Sequence, residues 1–274
     1  MSTLATEVLL TGRGFLEAPH WRAGEIWSSD LHRHEVIAVD PATASTRVVG
    51  AFADQPSGLG WRPDGSAVVV LLVERKLVAV ADGRVIADLT ALSVGGTNDM
   101  VVDDQGRSYV GTFGYDVFAR APYAPGNLIL VDIDGSARVV ADDLAFPNGL
   151  AITDDRTLLV AETRADRIVA FDIAGDGSLS GRRVWADLPG RPDGITLDRA
   201  GATWVALPRE GVVLRVEQGS EVTDTVTVTP GWRAVSCGLG GADGRILYVT
   251  TAQVVEPSAT AAIEFAEVAV PGRV

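Results

Sequence analysis

Four side chains, Glu17, Asn98, Asn148 and Asp193, sit at or beside short joins of one kind. In each, Pro, Asn, Asp or Gly punctuates the chain just before an apolar run. Phe146-Pro147-Asn148-Gly149 leads into Leu150-Ala151-Ile152, and Pro192-Asp193-Gly194 leads into Ile195. Thr97-Asn98-Asp99 precedes Met100-Val101-Val102, and Glu17-Ala18-Pro19 precedes Trp21. Two further joins, Pro56-Ser57-Gly58 and Ser236-Cys237-Gly238, complete a set of six. All four polar side chains offer oxygen, two of them as carboxylates. Carboxylates drawn together away from bulk water repel each other unless a cation compensates. Hard divalent cations take carboxylate and amide oxygens. If the joins converge, the set reads as a divalent metal site, with Ca²⁺, Mg²⁺ or Mn²⁺ favoured by ligand type. Taken singly, each is an ordinary turn residue; recurrence at equivalent positions is what gives the metal reading its weight.

The elements that must position these residues show a repeat. With Glu17, Ser57, Asn98, Asn148, Asp193 and Cys237 as equivalent points, the spacings are 40, 41, 50, 45 and 44 residues. A period of about 40–45 residues holding four short strands is that of a β-propeller blade. Repeat four shows it best: Gly149–Thr153, Leu158–Ala161, Arg167–Phe171 and Arg183–Trp185 are short runs bounded by Gly and Asp, the pattern of buried strands. The expected architecture is all-β: a six-bladed propeller of four-stranded blades in one domain, 1–274. Repeat six runs out of chain before its fourth strand, whereas Glu7-Val8-Leu9-Leu10 belongs to no repeat. This N-terminal strand is therefore expected to become the outer strand of the last blade and close the ring, leaving no open edge there.

In an up-and-down blade, the link into the inner strand and the link between strands two and three lie on one face of the disc. The six joins then converge at one end of the central channel, with the second-to-third links as a rim. One of these links, 113–126, is much longer than the rest and carries Phe113, Tyr115, Val117, Phe118 and Tyr123; long loops in compact domains tend to be functional. Tyr115, Phe118, Arg164, Arg209 and His32 fall in this rim and are candidate substrate contacts, as is Gln253. Packing or a solvated turn is the plain reading of each. His20 reads as a scaffold residue, and Cys237, with no His or Lys beside it, as an inert thiol. No Gly-x-Ser-x-Gly elbow supports a serine hydrolase.

The whole chain sets limits. A net charge of −13 argues against nucleic acid or anionic lipid as a partner. No apolar run approaches the ~18 residues of a membrane span, and the N-terminus has no secretory pattern. One cysteine excludes an intrachain disulfide and fits a reducing compartment, so a cytoplasmic location is expected. With three histidines, little material exists for a Cys/His zinc site.

Glu17-Ala-Pro-His-Trp21, Asn98-Asp-Met-Val-Val-Asp103, Phe146-Pro-Asn-Gly-Leu150 and Arg191-Pro-Asp-Gly-Ile195, with Trp27-Ser-Ser-Asp30 and Tyr248-Val-Thr-Thr251, resemble the SMP-30/gluconolactonase/LRE-like family in order along nearly the whole chain. The resemblance implies a six-bladed propeller with one divalent cation in its channel, calcium or zinc among the metals of the family. It implies Glu17, Asn148 and Asp193 as direct ligands. It places Asn98 on the substrate, on a ligand water or in the coordination sphere. It also implies hydrolysis of a lactone or related ester. Asp193 is then ligand and general base, and Asn98 orients substrate or stabilises the oxyanion. Members acting on sugar lactones often carry an Arg two residues before the position of Asn98; here that position is Gly96. This departure and the apolar loop point to a small-molecule substrate less polar than a sugar lactone. Two alternatives stand beside hydrolysis: the same fold and metal used by a lyase, isomerase or cyclase in a biosynthetic pathway, and a non-catalytic ligand-binding propeller.

Overall fold

The computed structural model describes residues 2–255 and 258–273. Its strands form six sheets arranged as blades, each with its first strand innermost. The inner strands are Leu16–Arg22, Pro56–Trp61, Thr97–Val102, Pro147–Ile152, Ile195–Leu197 and Arg233–Gly240 for blades one to six. Their flanking strands are buried as continuous apolar runs, such as Thr157–Glu162 and Thr203–Leu207, because each sheet is covered on both faces. The core is accordingly a series of wedges between blades. Leu159 and Ile168 of blade four pack with Val205 and Val216 of blade five, and Tyr109 and Leu130 of blade three pack with Leu158 and Val169 of blade four.

The ring closes as the spare N-terminal strand predicts. Glu7–Arg13 pairs antiparallel with Ser258–Glu267 as the outer strand of blade six. One element was not foreseen: Ser2–Ala5 adds a fifth strand to blade five, parallel to Val222–Thr227. No helix among the described residues is long and apolar enough to cross a membrane.

In blades one to four the joins read in the sequence as turns are the first residues of the inner strands; Asp193 lies just ahead of its strand, and Ser236-Cys237-Gly238 lies inside Arg233–Gly240. Pairing with the second strand slips between Glu17 and His20, Pro56 and Leu59, Thr97 and Met100, Pro147 and Leu150, and Ala234 and Ser236. Such bulges bend a strand and re-aim its side chains. The glycines of the joins serve close approach between blades. A Cβ on Gly58 would lie 2.4 Å from the Met100 nitrogen, and one on Gly194 would lie 2.0 Å from Ser236 Oγ. Because the obstacle at Gly58 is backbone, it cannot rotate away. Gly58→Ala is expected to destabilise the protein by about 1–3 kcal/mol, the cost of overpacking. An unchanged urea midpoint would refute this account of the join.

Candidate active site

The inner strands converge on the channel, and hydrogen bonds tie them in sequence around it. Ser29 Oγ donates to Ser57 O at 2.7 Å, Asn98 Nδ2 to Pro147 O at 3.0 Å, Thr163 Oγ1 to Pro192 O at 2.8 Å and Gly194 N to Val235 O at 3.0 Å. Each bond joins one blade to the next, and that from Asn98 reaches from blade three onto the strand carrying Asn148. The polar residues named from sequence are thus positioned by neighbouring blades as well as by their own.

Asn98 and Asn148 are buried, each 8% exposed; Asn148 Nδ2 also reaches Thr163 Oγ1 at 3.3 Å. Glu17 and Asp193 are half-buried in the channel wall and close enough to affect each other. Burial, then the charges of Asp193 and Asp99, raise the Glu17 carboxyl well above its usual range. Burial and the Asp99 charge raise Asp193 to about 7, opposed by hydrogen bonding from Asn148. Asp99 was not singled out in the sequence, where only its neighbour Asn98 was. Burial raises it to about 7, and it lines the channel. The bulge between Thr97 and Met100 explains why simple strand alternation does not reveal it.

Those three carboxylates have no ion-pair partner among the described residues, whereas buried Asp30, Asp103, Glu162 and Asp198 each hold an arginine. No three His, Cys, Asp or Glu among the described residues form a ready metal cage. The candidate set is two carboxylates and an amide, Glu17, Asp193 and Asn148, with Asp99 adding charge nearby. Uncompensated, mutually repelling oxygens fit a hard divalent cation. The backbone beside two of them is in the left-handed region: Ala18, after Glu17, has φ 47°, and Phe146, two residues before Asn148, has φ 64°.

Cross-strand register corrects the sixth equivalent point. Cys237 faces Val249 as Met100 faces Val110 and Leu150 faces Val160. Cys237 therefore matches Leu150, and Val235 is the counterpart of Asn148. The thiol is buried against Gly194 O and Trp204 O, and burial raises its pKa strongly, consistent with an inert group.

Above the ligand tier, the residues two places before the site positions form a second tier with the ends of the second strands. Leu31 N donates to Phe15 O at 2.8 Å, Leu72 N to Gln55 O at 2.9 Å, Phe113 N to Gly96 O at 2.9 Å and Thr163 N to Phe146 O at 3.1 Å. Phe15, Leu31, Leu72, Phe113, Val117 and Phe146 form one apolar cluster across blades one to four. Phe113 stacks on Phe146 with ring centroids 4.9 Å apart. Tyr115 is buried and accepts a hydrogen bond from Arg164 Nη2 at 2.7 Å, and the Arg164 guanidinium also lies 4.8 Å from the centre of Tyr123. Tyr115 and Arg164 thus clasp the long loop to blade four. Phe118 is 60% exposed on that loop, outside the cluster. His32 is exposed with its ring 5.6 Å from Phe15, Arg209 is exposed in its rim link, and Gln253 is half-buried. Beyond the ligand tier the channel holds a cavity of about 310 Å³ bordered by His20, Trp61, Asp99 and Met100. Burial lowers the pKa of His20 to about 4, so it is a neutral scaffold group there. A larger groove, about 570 Å³, lies at the opposite face near Asp154, Trp185 and Arg199; it is remote from the carboxylates.

Residues 15–253 match the SMP-30/Gluconolactonase/LRE-like region. The chain belongs to this family. The pentonolactonase XacC of Haloferax volcanii is 29% identical over 271 residues, covering 90% of this chain and 84% of its own. The 6-deoxy-6-sulfogluconolactonase of Pseudomonas putida is 27% identical over 250 residues, with 86% and 83% covered. Among solved structures, the calcium-binding protein regucalcin of Agrobacterium tumefaciens has a TM-score of 0.82 at 21% identity, with 100% of this chain and 97% of that chain covered. At that identity the likeness is one of fold, and it matches the six-bladed ring.

Proposed function

We propose that this protein is a cytoplasmic hydrolase of lactones that depends on one divalent cation, held by Glu17, Asn148 and Asp193. The observation that carries the reading is the set of uncompensated carboxylates at the channel mouth, Glu17 and Asp193 beside Asp99. The lactonases among the relatives, which match most of the chain, support the reaction class. Calcium is favoured because hard oxygen donors dominate the set; Zn²⁺, Mg²⁺ and Mn²⁺ are the competitors. When bound, such a cation polarises a carbonyl and acidifies water.

The chain's own residues do the rest. Asp193 accepts a proton as a water oxygen adds to the lactone carbonyl carbon. Asn98 keeps one N–H beyond its bond to Pro147 O, and that N–H is available to the oxygen that gains charge. The ring C–O bond then breaks, and the ring oxygen recovers the proton from Asp193, leaving a hydroxyacid. The side chains over Asn98 are hydrocarbon: a Cβ on Gly96 would lie 2.9 Å from the Phe113 ring, 3.0 Å from the Leu72 side chain and 3.0 Å from the Leu72 carbonyl oxygen. No side chain fits there to meet sugar hydroxyls, so the substrate is less polar than a sugar lactone where it meets blades one to four.

A panel of lactones tests the reading, with released acid titrated after chelation and after return of Ca²⁺, Mg²⁺, Mn²⁺ or Zn²⁺. Turnover that vanishes with chelator and returns with one cation is expected. Cation binding by calorimetry without turnover of any lactone would instead favour a lyase, isomerase or cyclase on the same site. No cation binding would leave a ligand-binding propeller.

A further inference from the structure

The second tier changes character around the ring. Going by register, the residues two places before the site positions are Phe15, Gln55, Gly96, Phe146, Arg191 and Arg233 for blades one to six. The apolar cluster ends at Phe146, and the next two blades present arginine. Arg209 lies in the rim link of blade five, one residue past Pro208, the counterpart of Thr163 in blade four. Arg191 is half-buried, and Arg209 and Arg233 are exposed. None of the three has a side-chain hydrogen bond or ion pair among the described residues. Elsewhere in blades four and five, Arg167, Arg182, Arg183 and Arg215 hold carboxylates, whereas Arg164 holds the Tyr115 hydroxyl and exposed Arg199, at the opposite face, has no side-chain partner among the described residues. The nearest acid in sequence, Glu210, lies against Gly190: a Cβ there would be 2.6 Å from Glu210 Oε1. The protein carries a net charge of −13, yet these guanidinium groups at one side of its channel mouth are left without a described carboxylate.

We infer, resting on the hydrolase reading above, that the lactone carries a carboxylate, and that Arg191, Arg209 and Arg233 bind it. The lactone's hydrocarbon then lies against Phe113 and Phe146. The two halves of the mouth match the two halves of such a molecule. Guanidinium meets carboxylate with paired N–H donors, a geometry lysine does not reproduce. With its carbonyl over Asn98, the molecule would be fixed at both ends.

The test uses one skeleton in two forms, a saturated γ-lactone with an acetic acid side chain and its methyl ester. With metal-loaded protein, kcat/KM for the acid is expected to exceed that for the ester by at least about tenfold, the scale of one charge-assisted hydrogen bond. The preference should shrink as salt rises from about 0.01 M to 1 M, because exposed charges are screened. Arg191→Gln and Arg233→Gln should each cut the acid-to-ester ratio severalfold or more, and Arg191→Lys should restore part of it. Equal kcat/KM for acid and ester, or Gln variants that leave the ratio unchanged, would overturn the proposal. If no lactone of any kind is opened, the hydrolase reading fails separately. Calorimetric binding of acid against ester then judges the arginines: equal binding of the two forms refutes them, and an acid preference lost in the Gln variants upholds them.

Discussion

Asp193→Asn is expected to lower lactone turnover by roughly 10²–10⁴-fold, the range for removing a general base, and to stay impaired at saturating cation. The substitution keeps size and one oxygen but removes a charge and a proton acceptor. If Asp193 only held the cation, raising the cation concentration would restore the rate. Glu17→Gln makes the comparison, because it also removes one anionic oxygen from the proposed ligand set. It should weaken cation affinity, and its turnover should recover as cation is added. The decisive contrast is recovery in Glu17→Gln and none in Asp193→Asn, read by cation titrations of kcat alongside calorimetric affinity. Full recovery of Asp193→Asn would make Asp193 a ligand only, and the proton would then have to go elsewhere. Asp99, in the same channel wall, is the nearest candidate to receive it.

What the sequence shows of this site follows from what repeats. The six joins are visible because Pro, Gly, Asn and Asp recur ahead of apolar runs, and short strands buried on both faces carry little else. The convergence of Glu17, Asn98, Asn148 and Asp193 follows from propeller topology alone. Three features escape that reasoning, each for a physical reason. The joins look like turns because turn residues fill them, yet the glycines are there because the neighbouring inner strand passes within contact of a Cβ. Cys237 looks like the sixth site position because Ser-Cys-Gly mimics Pro-Ser-Gly, but blade six slips its register between Ala234 and Ser236, not across the join. Asp99 is hidden because a bulge breaks the two-residue alternation by which one assigns a side chain to a face. The strand Ser2–Ala5 gives no signal either. It is four residues long and mostly exposed, with only Leu4 partly packed against the core between blades five and six.

Deleting residues 1–10 is expected to lower the melting temperature by roughly 10 °C, since about 3 kcal/mol corresponds to some 2–4 °C per kcal/mol in a large domain. Glu7, Val8 and Leu10 pair with Phe265, Glu264 and Ile263, so their loss exposes the outer edge of blade six. Leu9 and Leu10 pack on the core shared by blades six and one. Thr6 also donates its hydroxyl to Glu264, which is fully buried and otherwise held by Thr251 Oγ1 and Thr229 N, both at 2.9 Å. The deletion leaves Arg13 in place, with its 2.8 Å bond to buried Asp30. The loss therefore reports on strand closure in blade six together with the edge strand Ser2–Ala5 of blade five, and not on a broken buried ion pair, which alone would cost about 3–5 kcal/mol; deleting residues 1–5 alone measures the blade-five share. An opened edge strand should also promote association between molecules, seen as concentration-dependent scattering that the intact chain does not show. Supplying Ser2–Leu10 as a separate peptide should recover part of the stability, because the edge of Ser258–Glu267 that it pairs with is the same. A truncated chain that melts within about a degree of the intact one, with no added scattering, would mean that blade six holds its edge without the N-terminal strand and that the ring is not closed by it.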